Sequence, residues 1–156
     1  MAQNLIDCAV RTSVTASGGA LVQLVPPTGA LGTGRIVRLR QIAISNTTAT
    51  AFGIGLGIAS AAAVTPATAG IPLRRTTTVG AIDPAPVSLV WTTFGTTPTA
   101  PSAYTARLWI PASSLVIYAF NEGEELQIPP NATPLPFCIF NTGVGQIADI
   151  TLTWQE

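Results

Sequence analysis

Residues 147–154 read Ile-Ala-Asp-Ile-Thr-Leu-Thr-Trp. Within this run Ala148, Ile150, Leu152 and Trp154 fall on one face, and Asp149, Thr151 and Thr153 fall on the other. Successive side chains of an extended chain point to opposite sides, so a two-residue period marks a strand with one face in a core and one in solvent. Helical spacing would have put Asp149 and Thr153 among the apolar residues.

The same period recurs outward from this run. Residues 5–16 place Ile6, Cys8, Val10 and Val14 on one side and Asp7, Arg11, Ser13 and Thr15 on the other. Residues 20–25, 35–45, 51–58, 87–94, 104–110, 114–120, 124–128 and 135–140 read as further strands. Turn signals separate them, among them Ser17-Gly18-Gly19, Pro26-Pro27-Thr28-Gly29, Asn46-Thr47-Thr48 and Asn121-Glu122-Gly123. Residues 59–70 and 95–103 read as loops, and 71–86 as irregular with at most one short strand. The 13 prolines argue against long helices. The expected fold is all-β: a single β-sandwich or jelly-roll-like domain over 1–156, with about nine short strands and long Gly/Pro/Thr loops. Residues 1–16 could also serve as an arm.

Three strands carry more than a pattern. In 35–45, Val37 and Leu39 share one parity and Ile42 and Ile44 the other, which predicts a β-bulge or sharp bend at Arg40-Gln41. In 51–58, Gly53, Gly55 and Gly57 leave one face bare, open to close approach by another chain or a ring. In 114–120, Leu115, Ile117 and Ala119 oppose Val116, Tyr118 and Phe120, so both faces are apolar. An isolated sandwich strand should carry a polar outer face, so a loop or another subunit is expected to cover one side. The reading names Val116, Tyr118 and Phe120 as interface candidates.

Composition points the same way. Only 9% of residues are charged while 47% are apolar. That is too apolar for disorder, and neutral surface tends to end against another subunit. A homo-oligomer is expected. Net charge is zero, which supplies no basic footprint for nucleic acid. All seven cations are Arg, a residue suited to interface ion pairs. Arg35, Arg38 and Arg40 cluster on one strand, with Arg38 and Arg40 on one face. They read either as a solvated edge or as contacts to an acidic partner surface.

The inventory excludes much chemistry. Without His or Lys there is no Ser-His-Asp or Cys-His pair, no Schiff-base lysine and no Walker A loop. Two cysteines cannot make a four-Cys zinc site. No carboxylate spacing singles out a glycosidase pair. The acidic run Asn121–Glu125 reads as a solvated turn, since Glu124 and Glu125 fall on opposite faces. Trp91, Trp109 and Trp154 read as core or interface residues before they read as a sugar groove. No catalytic, cofactor-binding or metal-binding residue is named, and an enzyme is not expected. The uncharged stretch between Asn46 and Arg74 keeps a period of two and is broken by Thr, Ser and Pro66, so a strand plus a loop is expected there and no membrane span. Met1–Leu5 lacks the basic and apolar regions of a signal peptide. Cys8 and Cys138 both read as inward-facing, and buried free thiols are expected over a disulfide.

One segment carries a resemblance. Glu122-Gly123-Glu124-Glu125-Leu126-Gln127-Ile128-Pro129-Pro130-Asn131-Ala132 is similar to the G-x-x-L-x-I-P-P-N-A turn of small capsid decoration (cement) proteins and related fibre modules of tailed bacteriophages. The charge-poor loops and the closing Asp149–Trp154 strand are in the same style. The likeness covers roughly the C-terminal third. It implies a β-sandwich, commonly trimeric, that sits on the outer head of the virion and stabilises it. It brings no catalytic residues. The partners it implies are the chain itself and the major capsid protein or other virion proteins, after synthesis in the host cytoplasm. Alternatives are a tail, fibre or head–tail connector component, and a carbohydrate-binding or adhesion module. In such a setting the sequons Asn46-Thr47-Thr48 and Asn131-Ala132-Thr133 carry no meaning.

Overall fold

The computed structural model describes residues 5–13, 17–26, 36–61, 98–129 and 135–155, together with the backbone of 66–69, 73–74 and 89–94. Among these residues lie twelve strands and no helix. They are β1 (Leu5–Arg11), β2 (Ala20–Val25), β3 (Val37–Asn46), β4 (Phe52–Ile58), β5 (Pro66–Ala69), β6 (Leu73–Arg74), β7 (Leu89–Phe94), β8 (Ala106–Ile110), β9 (Ser114–Ala119), β10 (Leu126–Ile128), β11 (Phe137–Asn141) and β12 (Ala148–Gln155). Two antiparallel six-stranded sheets pack face to face as a β-sandwich. The first runs β10-β3-β12-β1-β6, with β9 also on β3. The second runs β5-β7-β2-β11-β4-β8.

Alternation decides which face is buried. On β12, Ala148, Ile150, Leu152 and Trp154 are fully buried, as their parity predicts. They meet Ile6 and Cys8 from β1, and Val37, Leu39, Ile42 and Ile44 from β3. The second sheet contributes Leu24, Ile54, Leu56, Phe137 and Ile139. Each such side chain stabilises the fold by roughly 1.5–3 kcal/mol relative to exposure.

The parity switch in β3 is a bulge. Leu39 pairs with Trp154 and Gln41 with Thr153, which leaves Arg40 without an opposite residue. The extra residue returns Ile42 and Ile44 to the core side. It also divides the free edge of β3 between two partners. β10 takes Val37–Leu39 and β9 takes Gln41–Asn46.

The second sheet has a cover. A side chain on Gly55 would place its Cβ 2.5 Å from the Tyr104 ring, and one on Gly57 would come 3.0 Å from Pro101. The bare face of β4 therefore receives a ring from the same chain. Tyr104 and Ala100 close a small cluster of Ala20, Ala59, Cys138 and Phe140 on the sheet's outer side.

Three expectations change. The loop read over 59–70 contains β5, at the sheet edge where proline's missing donor costs least. The irregular stretch 71–86 contains β6, two residues paired with β1, which is the one short strand its reading allowed. Twelve strands replace about nine, because two- to four-residue edge strands carry too little period to read. Cys138 does not face the central core as expected. It lies in the outer cluster, because it pairs with Gly57 and shares that face. Val14, Arg35, Asn131 and residues 1–4 lie outside the described residues.

Candidate interaction surface

Arg40 is half-buried. Its Nη1 forms an ion pair with the Glu125 carboxylate, while Nε and Nη2 donate to Gln155 Oε1 at 3.1 and 2.7 Å. The guanidinium thus ties the β3 bulge to the end of β12 and to the residue that precedes β10. This corrects two readings. Arg40 is not free for an acidic partner, because its own chain supplies the carboxylate. Glu125 is not part of a solvated turn, because its side chain is only 3% exposed. Its carboxyl is held below the usual glutamate range, first by the backbone N–H groups of Gly123 and Glu125 and then by Arg40. Arg38 remains exposed on the outer face, opposite Gln155 and Gln127.

The interface candidates on β9 change face. Val116, Tyr118 and Phe120 lean on the core, with the Tyr118 and Phe120 rings edge-on at 5.0 Å. The solvent face is carried by Leu115, 61% exposed, and Ile117, 57% exposed. Sequence parity cannot separate two apolar faces. The register can, since Leu115 and Ile117 lie beside Ser45 and Ala43 on the outer side of β3.

That outer face is built mostly from short side chains. Beyond Ser45, Ala43 and Gln41 come Asp149, Thr151 and Thr153 of β12, then Arg11, Ala9 and Asp7 of β1. Two of its charges pair with each other, and a third accepts a hydrogen bond. Arg11 pairs with Asp149 at 2.9 Å, and Thr153 donates to Asp7 at 2.5 Å.

Three further exposed apolar residues, Trp109, Val144 and Ile147, lie toward the Asn46 end of the sandwich. Trp109, 68% exposed, sits over Gly53 on the outer side of the second sheet, and Val144, 73% exposed, lies in the loop before β12. Near Trp109, the Arg107 guanidinium lies 5.1 Å from the Tyr104 ring centroid. Asn46 organises this end. Its Nδ2 donates to the carbonyls of Thr50 and Pro111 at 2.9 and 2.8 Å, and its Oδ1 accepts from Thr48 N at 2.9 Å. A buried amide with both hydrogens committed is not a glycan acceptor in the folded chain, whatever its sequon.

The remaining chemistry is muted. Cys8 and Cys138 are free and buried. Burial pushes the Cys8 thiol up to about 11 and the Cys138 thiol higher still, so neither is a thiolate at neutral pH. An open cleft of about 500 Å³ includes Glu124 and Glu125 in its lining. Both carboxylates are spent within the chain, Glu125 on Arg40 and Glu124 on Asn121 Nδ2 at 2.7 Å. No cluster of three metal-ligating side chains occurs among the described residues. No helix among them is long and apolar enough to cross a membrane. What the surface offers is contact area: an apolar β9 margin, a sheet face of mostly short side chains and an exposed tryptophan. No protein-family model, no curated protein and no solved structure matches the chain.

Proposed function

We propose that the protein is a non-enzymatic structural component of a tailed-phage virion, a decoration protein that binds the outer head and strengthens it. The observation that carries this reading is the surface of the first sheet. It is nearly neutral, its Arg11–Asp149 ion pair closes within the chain, and its margin exposes Leu115 and Ile117. Such a surface suits wide, shape-complementary contact between subunits more than capture of a small molecule. Arg38 at its rim would contribute orientation more than affinity. A ligand that binds only the assembled shell stabilises it by mass action, with no chemistry required. The partners are the major capsid protein and further copies of this chain, and the place of action is the virion.

The direct test mixes the purified chain with capsids that lack it and follows binding and thermal rupture. Binding with a raised rupture temperature is expected. If expanded capsids neither bind the chain nor gain stability, the decoration reading fails and a tail, fibre or connector role takes its place. Trp109 favours one other reading, since an exposed aromatic ring can stack on a sugar. In that case Trp109→Ala would abolish binding to host-surface glycans and leave capsid binding unchanged.

A further inference from the structure

We propose that β9 is a dimerisation edge, on which a second copy of this chain adds its own β9 antiparallel about a two-fold axis at Val116. The argument begins with the backbone. Phe120 N donates to Arg40 O at 2.9 Å, in the same register as the β3–β9 ladder. Hydrogen-bonded and non-bonded pairs alternate in an antiparallel ladder, so Tyr118, Val116 and Ser114 also bond to β3. The N–H and C=O groups of Leu115, Ile117 and Ala119 then point away from β3. Among the described residues no strand pairs with that side of β9.

Sheet edges are normally blunted by brevity, proline, charge or a bulge. The other edges here follow that rule. β6 has two residues, β10 has three, β5 contains Pro66 and β8 carries Arg107. β9 has none of these devices, and it exposes Leu115 and Ile117 beside its open backbone.

The character of the edge selects an identical strand. From Leu108 to Asn121 there is no charged residue, so nothing repels a second copy and nothing recruits a partner of opposite charge. Centring the two-fold axis on Val116 sets Leu115 against the partner's Ile117, and Ile117 against the partner's Leu115. Those are the residues whose N–H and C=O groups point outward, so each pair can exchange both backbone hydrogen bonds. The same register brings the exposed Leu and Ile side chains together on one face, while Val116 meets its own counterpart on the core side. Ser113, with φ 48°, leaves the extended region and ends the pairing there. A two-fold contact closes at two copies, in place of the three implied by the phage resemblance.

Sedimentation of the full chain and two charge variants tests this. The wild type is expected at twice the 16.0 kDa chain mass. Leu115→Lys/Ile117→Lys sets like charges against each other in both cross-strand pairs and should sediment as a monomer. Leu115→Lys/Ile117→Glu sets opposite charges in the same pairs and should restore the dimer. Both positions are exposed, so unchanged circular dichroism is expected for each variant. A monomeric or trimeric wild type, or two charge variants that behave alike, would overturn the proposal. A monomeric wild type that still strengthens capsids sinks the edge pairing alone. A dimer that ignores capsids sinks the decoration reading alone.

Discussion

Gly55 shows what one missing side chain does here. The Tyr104 ring occupies the space a Cβ would need, with Cδ1 only 2.5 Å from that point. The ring also lies 5.9 Å from the Phe140 ring, so its position is fixed by a neighbour as well as by the gap. Gly55→Ala should therefore destabilise the fold by about 1–3 kcal/mol, the usual penalty for overpacking. Denaturant titration measures it. In a Tyr104→Ala background the same substitution should cost much less, because the clash is gone. An equal cost in both backgrounds would place the strain elsewhere. The Gly-x-Gly-x-Gly run advertised a bare face in the sequence, but not the ring that fills it. Tyr104 comes from a segment far along the chain, and nothing in its local pattern marks it as a cover.

Strand β3 was legible in its apolar residues and illegible in its charged ones. The change of parity between Leu39 and Ile42 pointed to a bulge or a sharp bend, and the structure has the bulge, at Arg40. Whether Arg40 faces solvent or a carboxylate depends on Glu125, which long-range pairing brings beside it. The faces of β9 were hidden for a related reason, since two apolar parities leave the choice to the register with β3. The Arg40–Glu125 pair predicts a pH dependence. The backbone N–H groups of Gly123 and Glu125, and then Arg40, hold the folded-state pKa of Glu125 below its ordinary value of 4.5, so the stability these contacts contribute is fully present above that value. It is lost as the pH falls through the lower folded value. Denaturant titrations at a series of pH values from neutral into the acid range should show wild-type stability falling across that window. Glu125→Gln should be less stable at neutral pH and should fall less steeply in acid. Parallel acid limbs would show that Glu125 contributes nothing to the slope.

At the scale of the whole molecule, the order of strands is the part no local pattern carries. β12 lies between β1 and β3, so the first sheet closes by joining segments from opposite parts of the chain. Non-local pairing of this kind forms slowly and makes the fold depend on its last strand. Without residues 148–156, β1 and β3 would each lose a paired edge in mid-sheet, and the core would lose Ile150, Leu152 and Trp154. At roughly 1.5–3 kcal/mol for each buried side chain, that loss alone approaches the ~5–15 kcal/mol net stability of an ordinary domain. A chain ending at residue 147 should therefore show no cooperative thermal transition and rapid proteolysis. The second sheet cannot rescue it, because Leu24, Ile54, Phe137 and Ile139 bury themselves against the sheet that has come apart. A surviving cooperative transition would mean that the second sheet and its Tyr104 cover form a folding unit of their own. In that case the first sheet, with its exposed β9 edge, would be a separable layer that assembles onto them.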